Sequence, residues 1–252
     1  MTTEQRIAEM VAVARSVVTY HGDGAKNAAM DRLYGTILKP GDLAFDIGSH
    51  VGDRVASFRR LGARVVALEP QPGPAGVIRQ IFADDDGVTL IEAACGPAEG
   101  SVTLRVNSAN PTVTTASADF VASAADADGW REQVWDREIV VPCLTLDRLI
   151  ADHGRPAFVK IDVEGFEADV LAGLSQALPA LSFEFTTIQR DVALACLDRL
   201  AALGTYGFDV ALGESQTLTF GRLVSATEMA DHLMALPHDA NSGDVYAFLQ
   251  KA

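Results

Sequence analysis

The chain has 252 residues, 48% of them hydrophobic, which is enough for a sizeable core in one large α/β domain or two small ones. Its 34 acidic against 20 basic side chains give a formal charge of −14. With only four lysines, a field that gathers phosphate backbones is missing and nucleic acid is not expected as a partner. Cys95, Cys143 and Cys196 are odd in number, far apart and without CxxC spacing, so neither a disulfide framework nor a zinc knuckle follows.

The elements can be taken in chain order. Residues 1–18 (MTTEQRIAEMVAVARSVV) read as an amphipathic helix: Glu9 and Arg15 interrupt the apolar residues, so a basic n-region and an unbroken apolar h-region are both lacking. No run approaches the roughly 18 apolar residues that span a bilayer, and a soluble, cytoplasmic protein is expected. Strand-like runs end at Phe45, Leu68, Ile91, Ile161 and Phe185, with helical patterns between most of them, which predicts βαβ units and a mainly parallel sheet. The periodicity predicts helices over 51–61, after Gly165 as far as Leu178, and over 190–203. Residues 95–142 break the rhythm. Val102, Leu104 and Val106 alternate as a strand that EIVV at 138–141 could pair with, around a polar stretch read equally as a lid or a surface loop. Residues 205–212 and 243–250 read as two closing strands with a helix near 227–235 between them. Without repeat or linker, 1–252 is taken as one domain, with an N-terminal helical cap over 1–38 and the core over 39–252.

The chemistry starts at AFDIGSHVGD, residues 44–53. Strand, glycine turn and helix follow one another here, and such a crevice at the carboxyl ends of strands is where nucleotide-like ligands sit. Dinucleotide binding wants GxGxxG, but the spacing is Gly48-Ser49-His50-Val51-Gly52, with Asp46 two residues before the first glycine and Asp53 after the last. Asp46 repels a pyrophosphate and suits a cofactor with an ammonium group, which points to S-adenosylmethionine. Glu69-Pro70 closes the second strand 21 residues after Gly48, where an acid accepts both ribose hydroxyls of a nucleoside. Residues around Glu92 and Ala94, after the third strand, would face the adenine.

KIDVEG, residues 160–165, places Lys160, Asp162 and Glu164 at alternate positions, on one side if the strand continues. Charges ending an apolar strand are paired or functional. Lys160 and Asp162 could simply neutralise each other; otherwise Asp162 is the first candidate for the base that takes an acceptor's proton, and Glu164 the second. Glu184, ending the fifth strand, could face Asp162, and the two could hold a divalent ion. His50 is chemically suited to base work, but a single histidine in a turn is more often a surface or hydrogen-bonding residue. Tyr34, Trp130, Trp135 and Tyr206 are read as core rather than as an acceptor pocket.

FDIGSHVGD with ALEPQP, then VPCLTLDRL, KIDVEGFEADVLAGL and LSFEF, in this order and spacing over about residues 33–185, resembles the FkbM family of S-adenosylmethionine-dependent methyltransferases. The family commonly has Ala-Asn where this chain has Ser49-His50. The resemblance implies a class I methyltransferase fold, a Rossmann-like three-layer sandwich whose seven-stranded, mainly parallel sheet has one antiparallel strand. To it the chain would add N-terminal helices and the hairpin inserted at about 95–142. The resemblance also implies O-methylation of a hydroxyl on a small molecule, secondary metabolite or glycan. Asp46, Gly48, Ser49, His50, Gly52, Asp53, Glu69, Pro70, Glu92 and Ala94 would then hold S-adenosylmethionine, and Asp162, Glu164 and Lys160 would order the acceptor. Two rivals stand beside this reading: a nicotinamide-dependent oxidoreductase, disfavoured by the absent GxGxxG, and a nucleoside-binding module that has lost its chemistry. The acceptor's identity, metal dependence and oligomeric state stay open.

Overall fold

A computed structural model describes residues 2–250. Two helices come first, α1 (Thr3–His21) and α2 (Gly24–Tyr34). Thr2 opens α1 with a capping box, its hydroxyl accepting from the Gln5 amide while the Gln5 side chain reaches back. Then follow β1 (Leu43–Ile47), α3 (Asp53–Arg60), β2 (Arg64–Leu68), α4 (Pro72–Ile81) and β3 (Val88–Ile91). The middle of the chain forms β4 (Ala94–Cys95), β5 (Gly100–Val106), α5 (Ala118–Ala125) and β6 (Arg137–Leu144). The last part forms α6 (Leu146–His153), β7 (Phe158–Ile161), α7 (Glu167–Ala172), β8 (Ala180–Thr186), α8 (Arg190–Leu203), β9 (Tyr206–Leu212), α9 (Ala226–Ala235) and β10 (Ser242–Leu249).

Seven strands make one sheet in the order β3-β2-β1-β7-β8-β10-β9. Every pairing is parallel except those of β10, which runs antiparallel to both β8 and β9. β1 and β7 lie at the centre, and the order reverses between them, so the crevice beyond their carboxyl ends is a topological switch point. Alternation along each strand feeds two apolar layers. Phe45, Ile47, Val66 and Leu68 face one, with Leu197 and Leu200 of α8, while Ala44, Val65 and Ala67 face the other, with Phe58 of α3 and Met30 and Tyr34 of α2. The small residues on the second face let the helices lie close.

The hairpin expected within 95–142 is present: β5 pairs antiparallel with β6, which also takes β4 into a three-stranded sheet. Trp130 and Trp135 pack around Phe120 of α5, and Tyr34 and Tyr206 lie in the main core, so all four aromatics are structural, as their sequence context indicates. The helix after Gly165 is shorter than its periodicity predicts. It stops at Ala172 because Gly173 follows, where a Cβ would stand 2.3 Å from the carbonyl of Gly96; Leu174 and Leu178 remain buried beyond the helix. No described helix is long and apolar enough to cross a membrane.

Candidate active site

One cleft opens at the carboxyl ends of β1, β2 and β7, with an empty volume of ≈ 1000 Å³ that includes open solvent at its mouth. Its floor is the glycine turn. The amides of Gly48 and Ser49 both donate to the carbonyl of Leu68, at 3.0 and 2.9 Å, and the amide of Asp162 donates to the carbonyl of Ile47 at 2.9 Å, so β1, β2 and β7 are tied together where they end. Gly48 has φ +83°, and a Cβ there would lie 1.8 Å from the Asp162 carbonyl oxygen. Glycine is needed for this conformation and for the close approach.

Asp46 lies at the β1 end, 1% exposed, and its Oδ2 is buried without a hydrogen-bond partner. Burial, reinforced by the charge of Asp53 and opposed by Lys160 and Arg54, pushes its pKa up to about 7. Glu69, at the β2 end, accepts the His50 amide at 2.9 Å on one oxygen and the Gln71 amide at 2.8 Å on the other. Burial outweighs these bonds and raises its pKa to about 8. His50 stands on the cleft wall with φ +47°, its Nε2 3.4 Å from the Thr112 hydroxyl, and burial lowers its pKa to about 4. The ring is therefore neutral at ordinary pH.

Lys160 is 1% exposed and bridges two acids, Asp162 Oδ2 at 3.0 Å and Asp244 Oδ1 of β10 at 2.6 Å. The neutralisation of Asp162 by Lys160 is thus present, with Asp244 as a partner far off in sequence. Burial alone would raise the Asp162 pKa, but Lys160 and Arg54 hold it below the usual carboxylate range. Glu164 and Glu184 make no such ion pair among the described residues, so burial and the charge of Asp162 push both well up, and the charge of Lys160 draws them down only in part.

The expectation that Lys160, Asp162 and Glu164 share one side by strand alternation needs correction. β7 ends at Ile161, and the chain turns through Glu164 at φ +57° and Gly165 at φ +87°. Asp162 and Glu164 meet Glu184 of β8 through this turn, with one carboxylate oxygen of each within 4.8 Å of the others.

Of the other expected contacts, Ser49, His50, Asp53, Pro70 and Ala94 line the cleft. Glu92 does not: its side chain is 48% exposed and paired with Arg79, because the chain turns outward after β3 and Ala93 faces the cleft instead. Gly52 is also absent from the lining. It starts α3 at φ +82°, where a Cβ would press on Ile78 of α4 and on Phe82 just after that helix at 3.1 and 3.2 Å, so the bare glycine lets the two helices pack.

Several lining residues carry no local sequence signal. Tyr20 arrives from α1, edge-on to His50 with ring centroids 5.6 Å apart. Arg54 is buried between Asp53 and Glu214, at 2.5 and 2.9 Å. Residues 111–115 form a wall rather than a free loop: Gln71 donates to the Pro111 carbonyl and accepts from the Thr114 hydroxyl, and the Thr115 hydroxyl donates to the Glu164 carbonyl at 2.6 Å.

An open sheet of this order, with one antiparallel strand and an acid at the ends of both β1 and β2, defines a class I methyltransferase fold. The profile of the Methyltransferase FkbM domain matches residues 46–209, and the chain belongs to that family. It is similar to the hexuronic acid methyltransferase AglP of Haloferax volcanii, 26% identical over 153 residues. That match covers 60% of this chain and 57% of the relative, so the chain spans somewhat more than half of the relative's length. It is also similar to the 31-O-demethyl-FK506 methyltransferase FkbM of Streptomyces tacrolimicus, 29% identical over 213 residues, covering 71% of this chain and 78% of the relative. Among solved structures, a TehB-like SAM-dependent methyltransferase from Corynebacterium glutamicum shares the fold with a TM-score of 0.50 at 12% identity, covering 98% of this chain and 99% of that one. Family membership sets aside the nicotinamide oxidoreductase.

Proposed function

We propose that the protein transfers a methyl group from S-adenosylmethionine to a hydroxyl of a small molecule or glycan. The observation that carries the reading is the unpartnered, buried Asp46 Oδ2 beside a glycine turn, on the same cleft as Glu69. An ammonium would satisfy Asp46, and ribose hydroxyls would be held by Glu69, whose oxygens keep free lone pairs beside the two amides they accept. When bound, S-adenosylmethionine supplies a methyl group on a positively charged sulfur. The bond to that methyl would break with its electron pair left on the sulfur, and the new C–O bond would use an oxygen lone pair of the acceptor. Alignment accounts for much of the acceleration, and the wall of Tyr20, His50 and Thr112 restricts the approach. Asp162 and Glu164, with Lys160 holding Asp162, order the hydroxyl, and a carboxylate of this group takes its proton. A hydroxyl acceptor is consistent with the 31-O-demethyl relative, and a sugar with the hexuronic acid relative.

Transfer of labelled methyl from S-adenosylmethionine to a panel of glycans and polyhydroxylated metabolites, read by mass spectrometry, tests the reaction. Cofactor binding without transfer to any acceptor would favour the module that has lost its chemistry. Glu69→Ala removes charge-assisted bonds to the ribose and should weaken S-adenosylhomocysteine binding by roughly 2–4 kcal/mol, on the order of a hundredfold. An unchanged dissociation constant by calorimetry would rule Glu69 out as the ribose acceptor.

The pKa values of Asp46 and Glu69 set a pH dependence. Asp46, raised to about 7 in the folded protein, binds more protons folded than unfolded between its ordinary value and 7, so its ionisation costs stability as pH rises through that window. A cationic ligand needs the ionised form. Affinity for S-adenosylhomocysteine should therefore climb more than about tenfold from pH 6 to pH 8, with proton release at the lower end, as Asp46 and then Glu69 ionise. A flat profile by calorimetry in buffers of differing ionisation enthalpy would contradict the ammonium contact.

A further inference from the structure

We propose that Asp162, Glu164 and Glu184 form a site for a divalent cation of the Mg²⁺, Mn²⁺ or Ca²⁺ type at the acceptor end of the cleft. The proposal rests on the methyl-transfer reading for its role, though not for the binding itself. Asp162 and Glu164 lie in the turn that follows β7 and Glu184 lies on the adjacent β8, so the donors are held by two paired strands of the sheet. One carboxylate oxygen from each lies within 4.8 Å of the other two, a spread that one ion with oxygen ligands can span.

Two independent observations show that the protein's own groups leave part of this cluster, beyond the Asp162–Lys160 pair, unsatisfied. Glu164 is only 7% exposed and lines the cleft, yet no donor among the described residues bonds its carboxylate. Glu184 Oε2 is buried with no hydrogen-bond partner.

The charged groups packed against the cluster from each side are already committed. Lys160 of β7 is shared between Asp162 and Asp244 of β10. Arg54 of α3 is held by Asp53 and Glu214. Glu167 of α7 uses Oε1 to accept the amides of Val163 and Gly165. One ammonium thus serves a group of carboxylates made of Asp162, Asp244, Glu164 and Glu184, of which Asp244 and Glu164 are buried and Asp162 and Glu184 half-buried, and carboxylates crowded together in this way call for further positive charge. A single added ammonium would offset one of them and a divalent ion two. The donor set is all carboxylate oxygen, without histidine or cysteine, which suits hard cations rather than zinc.

An ion here lies on the same cleft as Asp46 and Glu69. It would hold an acceptor hydroxyl oxygen and lower its pKa. Because such an ion keeps open positions, the acceptor class it favours is one with two neighbouring oxygens, such as a vicinal diol of a sugar or polyketide.

The test uses the full-length protein stripped of metal and titrated with Mn²⁺, followed by electron paramagnetic resonance and calorimetry. S-adenosylhomocysteine binding is measured in parallel. The expected result is saturable binding of one Mn²⁺ per chain that Mg²⁺ displaces. Glu184→Gln and Glu164→Gln should each weaken it by at least roughly tenfold while S-adenosylhomocysteine still binds. Bound Mn²⁺ should also broaden the proton resonances of bound S-adenosylhomocysteine in the unmodified protein, which locates the ion in the cleft without any variant. Absence of saturable Mn²⁺ binding, no broadening, or Mn²⁺ affinity unaffected by both substitutions would overturn the site and leave a proton shared between Asp162 and Glu184. If Mn²⁺ binds as expected and S-adenosylhomocysteine does not, the ion site stands and the methyl-donor reading falls.

Discussion

Lys160→Met should lower the unfolding free energy by about 3–5 kcal/mol, since it removes the ammonium that a buried acid requires. For a chain of this size that is a fall in melting temperature of roughly 10 °C. Most of the loss comes from Asp244, whose side chain is 8% exposed and 2.6 Å from Lys160 Nζ. Asp162, at 32% side-chain exposure, can draw on water and contributes less. Asp244→Asn in the Lys160→Met background should recover part of the stability, because it removes the stranded charge and not merely a contact. A loss below about 1 kcal/mol by calorimetric or denaturant unfolding would mean that the bridge is no stronger than a surface pair. Asp162 would also lose the partner that sets its orientation, so methyl transfer should fall more than cofactor affinity does.

Gly48→Ala should be comparably damaging for a different reason. The added methyl meets the Asp162 carbonyl oxygen at 1.8 Å, and the left-handed φ of +83° penalises any side chain. Left-handed strain and overpacking together cost about 3–5 kcal/mol. Backbone must move to relieve the contact, because neither partner atom is the end of a flexible side chain. That motion separates the β1 turn from the β7 end, the two edges on which Asp46 and Asp162 stand, so S-adenosylhomocysteine binding should be lost along with stability. Gly41→Ala isolates the two causes: its φ is +89°, but a Cβ there meets nothing within 4 Å. It should cost only the strain, about 1–2 kcal/mol. Equal losses at the two positions, measured by denaturant unfolding, would show that the close approach of β1 and β7 has no energetic weight.

How far the chain could be read before folding depended on the range of each interaction. The ends of β1, β2, β3, β7 and β8 were legible because apolar runs bounded by glycine or acid are local patterns. So was the β5–β6 hairpin, through its alternation. Asp46, Gly48 and Glu69 were legible because a strand end places them whatever lies around it. Glu92 was misplaced by the same logic, since nothing local shows that the chain leaves β3 outward and exposes that side chain to Arg79. The turn pattern makes Gly52 a ligand-side glycine, but its neighbours, Ile78 of α4 and Phe82 just after it, stand about 26 and 30 residues further on, outside the span of any local pattern.

The sequence by itself therefore determined the alternation of strands and helices, the acid at the end of each of the first two strands, the glycine turn and the family resemblance. These depend on periodicity and on backbone freedom, which act over a few residues. Only the tertiary structure decided that Lys160 answers to Asp244 as well as Asp162, that Glu164 meets Glu184 through a left-handed turn rather than a strand face, and that Tyr20, Thr112 and Arg54 complete the cleft. Each of those pairings joins residues from separate elements. Burial gives them their strength, and it exists only once the sheet and its two apolar layers have closed around them.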